Sequence, residues 1–85
     1  MNFFTNFFFP SLPHNYQAEL NAINAKIDAT PGIMADYDTR SEILFYLGNT
    51  QAAIMDFEMA TSLEPDSDRK ELRNLELSDM KRRYS

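Results

Sequence analysis

Two prolines, Pro31 and Pro65, divide this 85-residue chain into helical stretches. Proline ends a helix because it lacks the backbone donor and its ring clashes with the preceding turn. Between them, apolar residues recur at helical spacing over 34–47 and again over 50–63, with Gly48 at the junction. Glycine readily adopts the left-handed conformation that closes a helix. The pattern predicts two antiparallel helices joined by a tight turn.

Helical patterns also flank this central pair. Over residues 15–29 the apolar stripe consists of Leu20, Ile23 and Ile27, with Ala18, Ala22 and Ala25 beside it. Over residues 67–83, which are more polar, the stripe consists of Leu72, Leu75, Met80 and Tyr84. Asn15 and Asn49 are placed to cap the helices that follow them. Because no stretch alternates polar and apolar residues as a strand does, we predict an all-α, antiparallel array of three to four helices.

An aromatic leader precedes these helices. Four of its phenylalanines fall on one face of a short helix that Pro10 would end, namely Phe3, Phe4, Phe7 and Phe8, and Phe9 follows them. We therefore divide the chain into a leader over residues 1–14 and a helical domain over residues 15–85.

The central unit carries particular residue types at fixed offsets: Tyr37, Arg40, Ser41, Leu44, Gly48, Ala53, Phe57, Ala60 and Pro65. Together with a helix–turn–helix length of about 34 residues, this set makes residues 34–67 resemble a tetratricopeptide (TPR) repeat. Small side chains at Ser41, Ala53 and Ala60 would let the helix backbones approach closely. The resemblance implies a stack of antiparallel helix pairs.

The flanking segments resemble parts of further repeats. Residues 15–30 are similar to the second helix of a preceding repeat, because Ala18 and Ala25 are spaced as Ala53 and Ala60 are, although one residue out of register with Pro31. Residues 67–83 are similar to the polar helix that closes such arrays.

The resemblance also implies a partner-binding groove. By its positions, the groove would be lined by Ala35, Asp38, Glu42 and Phe45. Asp36, Asp38 and Glu42 form the polar side of this helix pattern. The acidic groove residues would repel a carboxylate ligand, so a basic or apolar protein segment suits the groove better. The other interpretation is that one repeat forms too shallow a groove and that these carboxylates are simply solvated.

The leader must bury its aromatic rings. Each buried aromatic side chain stabilises by roughly 1.5–3 kcal/mol, which exceeds the entropy of ordering one backbone residue. Burial against a second copy of the chain would make it a homo-oligomer, with Phe3, Phe4, Phe7, Phe8 and Phe9 as the self-association residues. Burial against the chain's own open helical face is the alternative. Membrane insertion is disfavoured because no basic residues flank the rings.

The composition argues against several kinds of site. The chain has no cysteine and one histidine, His14, which excludes disulfides, thiolate metal sites and a histidine-based relay. His14 beside Pro13 is typical of a solvated turn. Asp66 and Asp68 lack the glycine and distal glutamate of a calcium loop. We expect neither a cofactor nor a metal, and an enzyme is disfavoured.

The charge distribution argues against nucleic acid. The net charge is −5, with −7 on residues 1–66 and +2 on residues 67–85. A DNA-binding helix–turn–helix would need cations in its second helix, yet residues 50–63 contain no Lys or Arg. The basic end can face a helix C-terminus or attract an acidic surface.

No apolar run reaches the roughly 20 residues that span a bilayer, and we expect no membrane span and a cytoplasmic protein. Taken together, these observations predict a non-enzymatic protein-interaction module that self-associates and docks a peptide or protein partner. The alternative is a regulatory or assembly subunit that inserts its Phe-rich leader into a larger complex.

Overall fold

The computed structural model describes residues 15–84. This range contains four helices and no strand: α1 (Tyr16–Ala29), α2 (Met34–Tyr46), α3 (Thr50–Leu63) and α4 (Ser67–Tyr84). The all-α prediction is confirmed. The aromatic leader, with its predicted self-association residues, and His14 lie outside the described residues.

The helix ends follow from local sequence. The Asn15 side chain accepts a hydrogen bond from the backbone N–H of Ala18 at 3.0 Å, and Asn49 stands in the same relation to Ala52 at 3.5 Å. Gly48 has a φ of +85° and lies directly after the α2 C-cap, as predicted. The residues that start and stop these helices therefore act through their own backbone and side-chain chemistry.

Each helix packs against the next in the chain, α1 on α2, α2 on α3 and α3 on α4. The buried core cluster consists of Ile23, Ile27, Tyr37, Ile43 and Ala60. At the α2–α3 contact, Ala53 and Ala60 have no exposed surface, and the Ser41 hydroxyl donates to the Ala53 carbonyl at 2.7 Å. Small residues therefore permit the closest helix approach, as the sequence predicted.

The helices repeat along the chain with two different spacings. The offset from α1 to α3 is the same at both helix ends and equals the offset from Pro31 to Pro65. The offset from α2 to α4 is one residue smaller, because the connection over 64–66 is one residue shorter than the connection over 30–33. One residue corresponds to about 100° around a helix, so this difference changes which face of α4 is buried.

The predicted apolar stripe of α4 is wrong for this reason. Leu77 is the buried residue of α4, and it holds the same position in α4 as the buried Leu44 holds in α2, counted from the first residue of each helix. Leu72 and Leu75 are each 65% exposed. The predicted stripe follows hydrophobicity alone, whereas packing against α3 selects the other face.

Two further expectations are corrected. Ala18 and Ala25 are exposed; at the spacing that relates α1 to α3 they correspond to Ala52 and Met59, not to the close-contact alanines of α3. Asp36, assigned to the polar side of α2, is buried with Lys26 Nζ 3.4 Å from its Oδ1. The end of α1 covers this first turn of α2, which the polar pattern of α2 alone does not reveal.

Candidate functional site: the groove between α2 and α4

An open cavity of about 450 Å³ lies where α2, α3 and α4 meet. We call it the α2–α4 groove; its lining residues are Met34, Asp38, Phe57, Glu64, Arg69, Leu72, Arg73 and Glu76. The groove thus combines an apolar part with a charged part, and three of its five charged residues are acidic.

Arg73 organises the charged part. Its Nη1 and Nη2 donate to the two carboxylate oxygens of Asp38 at 3.0 and 2.8 Å, and its Nε donates to Glu64 Oε1 at 3.0 Å. Its guanidinium carbon lies 5.5 Å from the centre of the Phe57 ring. The hydrogen bonds to Asp38 raise the pKa of Arg73 more than burial lowers it. This one side chain therefore connects α4 to both α2 and α3.

Glu64 is fixed from a second direction. It is the C-cap of α3, and its carboxylate is buried. Its Oε2 accepts from the Asp66 backbone N–H at 3.2 Å, while Asp66 Oδ2 accepts from the Arg69 N–H at 2.9 Å, in the first turn of α4. The short connection after α3 is thus held by carboxylates that also define the floor of the groove.

The four predicted partner-binding residues divide into two groups. Asp38 lines the groove but is bound by Arg73, and the Phe45 ring lies 5.6 Å from the Tyr84 ring, centre to centre. Ala35 and Glu42 are exposed and do not line the groove. The chain's own fourth helix therefore provides the basic group that the acidic Asp38 was expected to attract.

Sequence analysis missed Arg73 as a site residue and treated it only as part of the basic end. A signal was present, because Arg73 holds the position in α4 that Arg40 holds in α2, as Leu77 does with respect to Leu44. The spacing between the prolines points instead to Asn74, one residue away. The shorter α3–α4 connection explains the difference.

The apolar part of the groove remains accessible. Leu72 is 65% exposed on the wall formed by α4, opposite Met34. Glu76 is exposed on the same wall and has no salt bridge to any of residues 15–84. An apolar side chain and an unpaired carboxylate therefore lie side by side at the opening.

A second arginine forms a similar junction outside this groove. Arg40 Nε and Nη2 donate to the two oxygens of Asp56 at 2.7 and 2.8 Å, and Nη1 donates to Asn24 Oδ1 at 2.9 Å. The hydrogen bond to Asp56 raises the pKa of Arg40. Arg40 thus links α1, α2 and α3, a position consistent with its predicted structural role.

Other kinds of site find no basis in the part of the chain that the structure describes. Residues 15–84 contain no group of three His, Cys, Asp or Glu side chains placed to hold a metal ion. In the same range, none of the helices has the length and apolar character that crossing a bilayer requires.

Comparisons with protein-family models, curated proteins and solved structures give no significant match to this chain. The resemblance to TPR repeats therefore stays a prediction.

Proposed function

We propose that this protein is a non-enzymatic interaction module, a TPR-like helical array that docks a peptide segment of a partner protein in the α2–α4 groove. The observation that carries the proposal is the exposed Leu72 beside the unpaired Glu76 on an otherwise polar helix. Apolar side chains with polar neighbours are a common feature of protein-interaction surfaces.

The charges of the groove define the chemistry of the partner. Arg73 is already engaged by Asp38 and Glu64, so it offers little to an acidic ligand. Arg69 is the remaining cation of the lining, and its Nε lies 3.7 Å from Asp66 Oδ2. The available charge is therefore that of Glu76, which favours a basic side chain. We expect a segment that places an apolar side chain against Leu72 and a Lys or Arg near Glu76.

The shape of the groove supports a peptide over a small molecule. The cavity is open along the helices, and its apolar lining comes from side chains of three different helices. Such a surface suits an extended or helical segment whose anchors are distributed along its length.

The proposal is tested by selecting binding peptides from a random-sequence display library on the full-length chain. We expect selected peptides that combine Lys or Arg with an apolar residue. Substitution L72E should weaken their binding at least tenfold, about 1.4 kcal/mol, and E76K should weaken it by a similar factor.

The matched control is L75E, because Leu75 is as exposed as Leu72 and lies on the same helix but does not line the groove. Peptide binding should be unchanged in this variant. Equal losses in L72E and L75E, or selection of acidic peptides, would reject the α2–α4 groove as the docking site.

A further inference from the structure

A second groove lies at the other end of the array, between α1 and α2. We call it the α1–α2 groove; it has a volume of about 270 Å³, and its lining residues are Glu19, Ala22, Ile23, Lys26, Thr39 and Ile43. Ile23 and Ile43 are buried core residues, so the floor is apolar, whereas the lining residues on the rim are exposed. The question is what covers this floor.

The internal repeat identifies the corresponding surface elsewhere in the chain. Shifted by the offset that relates α1 to α3, the α1 side of the groove falls on Ala53, Asp56, Phe57 and Ala60. In α3 this side faces α2: Ser41 bonds the Ala53 carbonyl, and Arg40 bonds Asp56. The α1–α2 groove is therefore the place that a helix preceding α1 would occupy.

The same shift identifies the segment of the chain that belongs there. Applied backward from α2, it falls on the aromatic leader, and Tyr37 then corresponds to Phe3. Seven helical residues, 3–9, would extend roughly 10 Å, as does the stretch of α1 from Glu19 to Lys26. The five residues 10–14 are an ordinary length for a connection between antiparallel helices.

Side-chain size also agrees with this assignment. Where α3 has Ala53 and Ala60, the equivalent positions of α1 are Glu19 and Lys26, which hold a neighbouring helix farther away. Large rings fill a wider gap than the small residues of the α2–α3 contact do. The leader has five phenylalanines and no charged residue over 3–9, which suits an apolar floor.

We propose that residues 3–9 of the same chain dock as a short helix in the α1–α2 groove and cover Ile23 and Ile43. The leader then forms the first helix of the array. Its aromatic rings would not be available for self-association, which was the other outcome that the sequence allowed.

The direct test is NMR on the full-length chain with labelled phenylalanine rings and isoleucine methyl groups. We expect NOEs from the Phe rings to the methyl groups of Ile23 and Ile43. In an equal mixture of labelled and unlabelled chains, an isotope-filtered experiment should show no such NOEs between different molecules. Intermolecular NOEs would show a leader exchanged between two copies and would overturn the proposal, as would the absence of contacts to this groove.

A pair of variants tests the same contact by proteolysis. A22E places a charge in the groove, whereas A25E introduces the same charge on an exposed residue of α1 outside it. Chymotryptic cleavage within residues 3–9 reports how often the leader leaves its site. We expect cleavage roughly tenfold faster in A22E than in A25E, and equal rates in the two variants would contradict docking at this groove.

Discussion

The two arginine junctions, one at Arg40 and one at Arg73, use the same geometry in different electrostatic surroundings. Each guanidinium binds one aspartate through two hydrogen bonds, lies near an aromatic ring and connects three helices. Such two-point contacts are the strong form of charged hydrogen bond because the planar guanidinium matches a carboxylate.

The junctions differ in their charge balance. Arg40 faces one carboxylate, Asp56, and the neutral amide of Asn24, so its charge is matched. Arg73 faces two carboxylates, Asp38 and Glu64, and leaves an excess of negative charge beside an open groove. The same type of contact thus forms a neutral joint in one place and a negatively charged groove wall in the other.

The largest effect is expected from removing the guanidinium of the second junction. R73M leaves the buried Glu64 and the half-buried Asp38 close together without their shared cation. Breaking a buried ion pair from one side typically costs about 3–5 kcal/mol, a large part of the stability of a chain this size. Urea unfolding followed by far-UV circular dichroism measures the loss.

The control for this prediction is R69M in the same helix. Arg69 is mostly exposed, and its Nε lies 3.9 Å from Glu64 and 3.7 Å from Asp66. Exposed ion pairs contribute about 0–1 kcal/mol, so R69M should change the stability little. If the two variants are equally stable, Arg73 does not hold α4 in place.

A smaller effect is expected at the first junction. R40M leaves one buried carboxylate, Asp56, and should lower the free energy of unfolding by about 2–3 kcal/mol. The double variant R40M/D56M replaces the pair by apolar side chains and should recover most of this loss, because no buried charge remains. A double variant that is as unstable as R40M would show that packing, not charge, makes this junction important.

The smallest effect is expected from an ion pair that lacks the burial of either junction. Lys81 Nζ lies 3.2 Å from Glu58 Oε2, and about half of each side chain is exposed. K81A should lower the free energy of unfolding by at most about 0.5 kcal/mol, and added salt should reduce the difference further. A loss comparable to that of R40M would remove burial as the explanation for the ranking.

Much of the fold could be predicted because its signals are local. Asn15, Asn49 and Gly48 act on their immediate backbone neighbours, so their residue type and position were enough to place the helix ends. The binding groove was harder because Asp38 meets Arg73 across 35 residues of sequence. Neither residue type announces that contact, and the acidic position was interpreted as available to a partner.

The amino-acid sequence by itself determined the four helices and the small residues at the α2–α3 contact, since these follow from propensity, caps and periodicity. Tertiary structure decided which side of α4 is buried and which charges remain for a partner. The physical reason is that a helix turns by about 100° for each residue. One residue fewer between α3 and α4 therefore places Arg73 and Leu77 toward the array and leaves Leu72 beside the groove.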